Sequence, residues 1–96
     1  MPTYVTLFRW TGKGIENVKD SPARLEKVKA AAKAVGGQLK AFYMTMGRYD
    51  GLLLSEAPND EAYAKMVLSI GSSGNVSTET MKAFTEEEYR KVIASL

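Results

Sequence analysis

Alternating apolar and polar positions predict a β-strand near the start of the chain. Residues Thr3 to Trp10 are rich in β-branched and aromatic side chains, which favour a pleated sheet. Because side chains alternate between the two faces of a strand, this stretch divides into two sets. One face carries Val5, Leu7 and Arg9, and the other carries Tyr4, Thr6, Phe8 and Trp10.

A second extended stretch, from Leu39 to Glu56, predicts a β-hairpin centred on Gly47 and Arg48. Glycine suits the first position of a two-residue turn, which places Met46 opposite Tyr49. One face then carries Phe42, Met44, Met46, Tyr49, Gly51 and Leu53. The other carries Leu39, Ala41, Tyr43, Thr45, Asp50, Leu52, Leu54 and Glu56. A four-residue turn preserves these faces, whereas a three-residue turn with a bulge flips one strand.

Three stretches, one between the first strand and the hairpin and two after the hairpin, have the period of an amphipathic helix. The first opens at Ser21-Pro22, an N-cap residue followed by proline, and ends at Gly36-Gly37. The second follows Asn59, which suits an N-cap. The third begins with a capping box formed by Thr85 and Glu88. Each of these helices is predicted to bury one apolar stripe.

The order of elements predicts the fold. Residues 75–83 alternate as a fourth strand, and Thr11 to Gly14 indicate a flexible connection. The resulting order, β-α-β-β-α-β-α, folds most simply as an antiparallel sheet with two helices on one face. We therefore predict the α+β class: a ferredoxin-like βαββαβ sandwich with a C-terminal helix and a four-stranded sheet of order 4-1-3-2. One domain is expected to span residues 1–96.

Both faces of this sheet are apolar, although only two principal helices are available to cover them. We expect the helices to cover Val5, Leu7, Leu39, Ala41, Leu52 and Leu54. The opposite face would then expose more apolar area than a monomer usually does. The terminal helix could fold across this face, or a second copy could pack against it; because one short helix is small for the task, we predict a homodimer or a higher homo-oligomer. The candidate interface comprises Tyr4, Phe8, Trp10, Phe42, Met44, Tyr49 and Leu53.

Composition narrows the chemistry. The 96 residues include no cysteine and no histidine, which excludes disulfides, thiolate nucleophiles and Ser-His or Cys-His catalysis. We predict no metal site and no cofactor. A net charge of +2 is too small to indicate nucleic-acid binding. Because no stretch has the length of a membrane span and the start lacks a signal-peptide pattern, we expect no membrane association and a cytoplasmic protein.

The turn sequence Gly47-Arg48-Tyr49-Asp50 resembles the motif after which the GYD domain family is named. Arg48 stands between the glycine and the tyrosine, so the three letters of the name are not contiguous here. Four other stretches are similar to recurrent segments of that family: Thr11 to Ile15, Asp20 to Arg24, Gly74 to Val76 and Ala83 to Glu88. Together these segments span nearly the whole chain.

The resemblance implies a ferredoxin-like fold of the dimeric α+β barrel kind. Such barrels include cofactor-free monooxygenases, dehydratases, isomerases and small-ligand regulators. Because one fold serves many functions, the resemblance implies no particular activity.

A polar cluster at one end of the predicted sheet is the candidate site. Face parity places Arg9, Thr45 and Asp50 on one side of the sheet where three strands meet, with Tyr43 one step deeper. These four residues are the candidate mouth of a ligand pocket, with Asp50 as a proton acceptor and Tyr43 as a donor. The alternative is a structural Arg9–Asp50 ion pair that closes the end of the sheet, with Asp50 also accepting hydrogen bonds from N–H groups of the turn.

Three functions remain open on the sequence. The first is a homodimeric small-molecule-binding or regulatory module with a pocket between sheet and helices. The second is a cofactor-independent enzyme of the dimeric α+β barrel type, resembling a monooxygenase or an isomerase. The third is a structural assembly unit without a ligand, in which side chains fill the space between the layers.

Overall fold

A computed structural model describes residues 1–96. The strands are β1 (Thr3–Trp10), β2 (Gln38–Met44), β3 (Gly51–Glu56) and β4 (Val76–Ala83). The helices are α1 (Gly12–Glu16), α2 (Ser21–Ala34), α3 (Asp60–Gly71) and α4 (Glu86–Ala94). All strand pairs are antiparallel and the sheet order is β2-β3-β1-β4. The predicted fold class and the predicted order 4-1-3-2, read in reverse, are therefore confirmed.

The hairpin of β2 and β3 keeps the predicted register next to its turn. Met44 pairs with Gly51, and the Thr45 N–H donates to the Asp50 carbonyl at 2.9 Å. The turn therefore holds four residues rather than two. A β-bulge at Lys40 shifts the register farther along β2, so that Leu39 lies opposite Ser55. Since a shift of one residue reverses the face, the predicted face of Leu39 was wrong.

The segment after β1 is helical, which corrects the flexible connection predicted there. The Thr11 side chain accepts a hydrogen bond from the Gly14 N–H at 3.1 Å and caps the short helix α1. A single 3₁₀ turn, Val18–Asp20, then leads into α2, whose N-cap is Asp20 rather than Ser21.

The end of α2 is the predicted glycine cap. Gly36 has a φ of 80°, a left-handed conformation that glycine adopts without the steric cost of a Cβ. The Gly36 N–H donates to the Lys33 carbonyl at 3.0 Å, and the Gly37 N–H donates to the Ala32 carbonyl at 2.8 Å. This pair of bonds is the Schellman motif, which satisfies the last carbonyls of the helix.

The helices cover the sheet face that was predicted to be open. Tyr4 lies in a buried core with Ala32, Ala57, Tyr63 and Met66, and Val35, Val67 and Ile70 pack around it. Thr6, Phe8 and Leu53 are buried on the same face. The opposite face, with Val5, Leu7, Leu52 and Leu54, is only partly buried. The face prediction was wrong because both faces carry similar apolar residues, so alternation alone does not decide between them.

Hydroxyl groups connect the core layers. The Tyr4 and Tyr63 rings stack with centroids 4.2 Å apart and planes 4° from parallel. The Tyr63 hydroxyl bonds the Thr6 hydroxyl at 2.6 Å, which in turn bonds the Thr80 hydroxyl at 2.9 Å. At the other end, the Tyr4 hydroxyl donates to Asp60 at 2.5 Å. The hydroxyls of Tyr4, Thr6 and Tyr63 therefore each have a partner, as burial requires, whereas the buried Ser55 hydroxyl has none.

The hydrogen bond between Tyr4 and Asp60 shifts the pKa values of both groups. Burial, together with the hydrogen bond to the Asp60 carboxylate, raises the pKa of Tyr4 to about 12. The hydrogen bonds that Tyr4 and Lys82 donate to Asp60 lower the pKa of that carboxyl below its ordinary value. The neutral phenol and the charged carboxylate are thus the forms that the folded state favours.

The C-terminal helix has the predicted capping box: the Glu88 N–H donates to the Thr85 hydroxyl at 3.2 Å, and the Thr85 N–H donates to the Glu88 carboxylate at 2.9 Å. No residue of α4 is buried. Its apolar stripe includes Tyr89, Val92 and Ile93, each about half exposed. None of the helices combines the length and the hydropathy that a membrane span needs.

We predict that stability falls as pH rises from about 10, the ordinary tyrosine pKa, towards the raised pKa of about 12. The folded state holds the Tyr4 proton more tightly than the unfolded state does. The stability gained from protonated Tyr4 is therefore complete below the pKa of the unfolded state, and it is lost as pH rises towards the pKa of the folded state. Melting temperatures between pH 8 and pH 11.5 would test this. Tyr4→Phe should be less stable at pH 8 and should lose less stability on going to high pH. The exposed Tyr89→Phe should behave like the parent protein, and an unchanged alkaline slope in Tyr4→Phe would contradict the prediction.

Candidate ligand cavity

A cavity of about 430 Å³ lies between the sheet and the helices α2 and α3. Phe8, Trp10, Phe42 and Leu53 form its floor on the sheet. Leu25, Val28 and Ala31 face them from α2, and Ile70 faces them from α3. This volume falls in the usual range for small-molecule sites, and mostly apolar walls with a few polar groups are typical of them.

The side chains of α2 are less buried towards its N-terminal end, where this space is open. Ala32 is fully buried near the C-terminal end of the helix, where it contacts the Tyr4 core. Nearer the N-terminal end, Leu25, Val28 and Ala31 are only half-buried. The two layers therefore meet closely at the Tyr4 end and leave a gap at the Trp10 end.

Three aromatic rings make up most of the cavity floor. The Phe8 and Phe42 centroids are 6.0 Å apart with planes 22° from parallel, and the Phe8 and Trp10 centroids are 5.9 Å apart in an edge-to-face arrangement. These distances fall within the range preferred by interacting aromatic pairs. The floor is thus a continuous aromatic surface supported from below by the sheet.

Gly51 allows Phe8 to lie flat against β3. The two residues are paired across the strands, and a Cβ on residue 51 would overlap the Phe8 ring. It would also lie 2.9 Å from the Tyr43 carbonyl oxygen. Any side chain at this position therefore displaces the ring or the backbone.

The turn formed by Gly47-Arg48-Tyr49-Asp50 holds the end of β1 in place. The Asp50 N–H donates to the Phe8 carbonyl at 2.8 Å, and the Trp10 N–H donates to the Asp50 carboxylate at 2.9 Å. The Asp50 side chain thus continues the ladder after the backbone of β3 turns away. Asp50 and Gly51 are positioning residues for Phe8 and Trp10.

Arg9 and Tyr49 lie on the opposite side of the turn. The Arg9 guanidinium carbon is 5.0 Å from the Tyr49 ring centroid, and its Nε donates to the Arg48 carbonyl at 2.6 Å. The Tyr49 hydroxyl donates to Glu79, and this bond raises the pKa of Tyr49. This polar group borders a second, smaller hollow of about 190 Å³.

None of the four residues predicted as a pocket mouth lines the large cavity. Arg9, Thr45 and Asp50 gather around the turn, where the Thr45 hydroxyl donates to the Tyr49 carbonyl at 2.7 Å. Tyr43 lies on the sheet face that points away from the cavity, and it is 63% exposed. The alternative prediction of an Arg9–Asp50 ion pair is wrong, because each group binds backbone instead.

The residues predicted for the dimer interface lie on the helix-covered face or at the turn. Phe8, Trp10, Phe42 and Leu53 form the cavity floor, and Tyr4 belongs to the core. Met44 is 68% exposed at the end of β2, and Tyr49 contacts Arg9. A side chain buried within its own subunit has little surface left for a second copy.

Sequence reasoning missed the part of the cavity wall that α2 supplies. Arg24 and Lys27 both line the cavity, although charged residues of an amphipathic helix usually face solvent. Ser73 and Asn75, after α3, also lie on its wall. Ala31 is the smallest α2 residue on the cavity wall, but one alanine in a helix does not indicate a gap beneath it.

The sheet order and the two helices on one face make this a ferredoxin-like α+β protein. The sequence profile of the GYD domain matches residues 4–93, so the chain belongs to the GYD domain family. The predicted resemblance is thereby confirmed.

Two proteins of Thermus thermophilus are similar to this chain, one in sequence and one also in solved structure. The glutamine synthetase and cystathionine beta-lyase binding protein of Thermus thermophilus is 31% identical over 84 residues, which are 86% of this chain and 88% of that protein. The solved structure of TTHA0845, also from Thermus thermophilus, has a TM-score of 0.57 at 26% identity, over 88% of this chain and 95% of that one.

A regulatory protein shares the fold. The leucine response regulatory protein LrpA of Mycobacterium tuberculosis has a TM-score of 0.66 at 17% identity, over 88% of this chain. The matched region is 51% of LrpA, so this chain spans about half the length of that regulator. At this level of identity the likeness concerns the fold alone.

We predict that Gly51→Ala costs roughly 1–3 kcal/mol of unfolding free energy, the usual cost of overpacking. The new methyl group overlaps the Phe8 ring, so the ring must leave its position on the cavity floor. Urea unfolding measures the cost, and near-UV circular dichroism reports the aromatic rearrangement.

Gly12→Ala is the matched control, because a Cβ there meets no atom within 4 Å. Equal stability of Gly51→Ala and the parent, with an unchanged aromatic spectrum, would contradict the assigned role of Gly51.

Proposed function

We propose that the protein is a homodimeric small-molecule-binding or regulatory module whose ligand site is the cavity between sheet and helices. The observation that carries this proposal is the cavity of about 430 Å³ with its aromatic floor. A structural unit without a ligand would be expected to fill this space with side chains. The proton-transfer pair considered for an enzyme, Asp50 and Tyr43, lies outside the cavity.

The open face of the sheet, defined by Val5, Leu7, Leu52, Leu54, Tyr43 and Met81, supports the homodimer. Met81 is 46% exposed and Tyr43 is 63% exposed, and the four aliphatic residues between them are only partly buried. A contiguous apolar patch of this kind is typical of protein–protein interfaces. We therefore place the proposed dimer interface on this face, instead of on the residues predicted from the sequence.

Helix α4 supports association as well. Phe84, at its start, is 66% exposed, and Leu96, after its end, is 95% exposed. A capped helix with an unburied apolar stripe gains free energy by packing on a second apolar surface. The open face of another subunit is such a surface.

The Thermus thermophilus relative supports a function in binding rather than in catalysis. That protein is named for binding two enzymes, glutamine synthetase and cystathionine beta-lyase. We extend to this chain only the coarser statement, that it acts by binding. Regulation by a bound small molecule would combine the cavity with a protein-binding surface.

We predict that Ala31→Phe blocks the cavity. The new ring projects into the space between α2 and the sheet, so affinity for N-phenylnaphthylamine, a neutral apolar dye, should fall about tenfold, or roughly 1.4 kcal/mol. Dye fluorescence in a titration measures the affinity.

Ala30→Phe is the matched control, since Ala30 is exposed on the same helix and does not line the cavity. Equal dye binding by the two variants would contradict the proposed ligand site.

We predict that Leu52→Lys converts the dimer into a monomer. The substitution places a charge at the centre of the open face, and burying an unpaired charge in an interface is strongly unfavourable. Native mass spectrometry and light scattering report the subunit number. Leu68→Lys, at a 72% exposed position on α3, should remain dimeric. A parent protein that is monomeric at high micromolar concentration would contradict the homodimer.

A further inference from the structure

We propose that the ligand of this cavity is an arylalkyl monocarboxylate: an aromatic body with one carboxylate on a short chain. This inference rests on the proposed function, because it assigns a chemical class to the same site. Three features carry it, namely the charge on the cavity wall, the aromatic floor and the size of the space.

The cavity wall carries positive charge without negative charge. Arg24 and Lys27 are its only charged lining residues, and no aspartate or glutamate lines it. The two cations are three residues apart on α2, so they lie on the same side of the helix. An anionic group at this wall is therefore favoured over a neutral or cationic one.

Neither cation is neutralised by the protein. The Arg24 guanidinium donates to the Asn17 carbonyl at 3.0 Å and to the Gly14 carbonyl at 3.4 Å, but it meets no carboxylate. Lys27 takes part in none of the ion pairs of the chain. Arg24 is therefore committed to bracing α1 against α2, while the Lys27 ammonium is available to a ligand. One available ammonium matches the single charge of a carboxylate better than the double charge of a phosphate monoester.

The aromatic floor of the cavity favours a ligand that contains an aromatic ring. Phe8, Trp10 and Phe42 present ring faces and edges to the cavity, and Leu53 lies among them. An aromatic ring can stack on this surface in an offset or edge-to-face arrangement, which contributes beyond simple burial. The volume of about 430 Å³ lies towards the lower end of the range for small-molecule sites, which favours a ligand with one aromatic ring and a short chain.

The test uses three ligands with one body: phenylbutyrate, phenylbutanol and phenylbutylamine. Trp10 is the sole tryptophan and lines the cavity, so its fluorescence reports occupancy of this site. Isothermal titration calorimetry measures each affinity independently. We expect the carboxylate to bind roughly five-fold more tightly than the alcohol, as one partly screened charge pair provides, and the amine to bind most weakly.

Lys27→Gln removes the available charge from an exposed position and should not disturb folding. It should abolish the preference for phenylbutyrate over phenylbutanol and leave the affinity for phenylbutanol unchanged. Lys33→Gln, an exposed lysine of α2 that does not line the cavity, should retain the full preference.

Equal affinities of the carboxylate and the alcohol in the parent protein would overturn the ligand class, as would an equal loss of preference in the two lysine variants. So would absence of binding by all three ligands when the neutral dye still binds in an Ala31-dependent manner. That last result leaves the cavity as a ligand site and separates failure of the ligand class from failure of the proposed function.

Discussion

The stacked pair of Tyr4 and Tyr63 decides how the two layers of this protein meet. The rings join β1 to α3 in parallel contact, and their hydroxyls are fixed at opposite ends by Asp60 and Thr6. If the sheet presented its other face to the helices, these hydroxyls would lose their partners and Asp60 would lose a hydrogen bond. An unsatisfied buried polar group costs about 1–3 kcal/mol, which is a large part of the stability of a small domain.

The same contact explains why the cavity lies where it does. It holds α3 and the C-terminal end of α2 close to the sheet, while the less buried N-terminal part of α2 leaves space farther along β1. The turn from Gly47 to Asp50 then fixes the floor of that space. Asp50 accepts a hydrogen bond from the Trp10 N–H, and the Phe8 ring packs against Gly51. The turn from Gly47 to Asp50 therefore lies beside the cavity and supports its floor without lining it.

The strand order could be predicted from general rules of topology. The hairpin register next to the turn and the caps at Gly36, Asn59 and Thr85 could be predicted because each depends on local chemistry. The covered face could not, because Val5 and Leu7 are as apolar as Tyr4 and Phe8, and the choice depends on partners more than fifty residues away. Asp50 could not be assigned to one role, because a carboxylate beside a turn can accept either a proton or hydrogen bonds from backbone N–H groups. The place of Lys27 on the cavity wall could not be predicted, because a helical lysine usually lies in solvent.

The bulge at Lys40 affects how copies of the protein can associate. β2 is an edge strand, and a regular edge offers unpaired N–H and C=O groups to any strand that approaches it. The bulge bends this strand and interrupts the spacing of those groups, and the lysine adds a charge that resists docking. Strand addition along β2, the route by which sheets grow into fibrils, is thereby disfavoured.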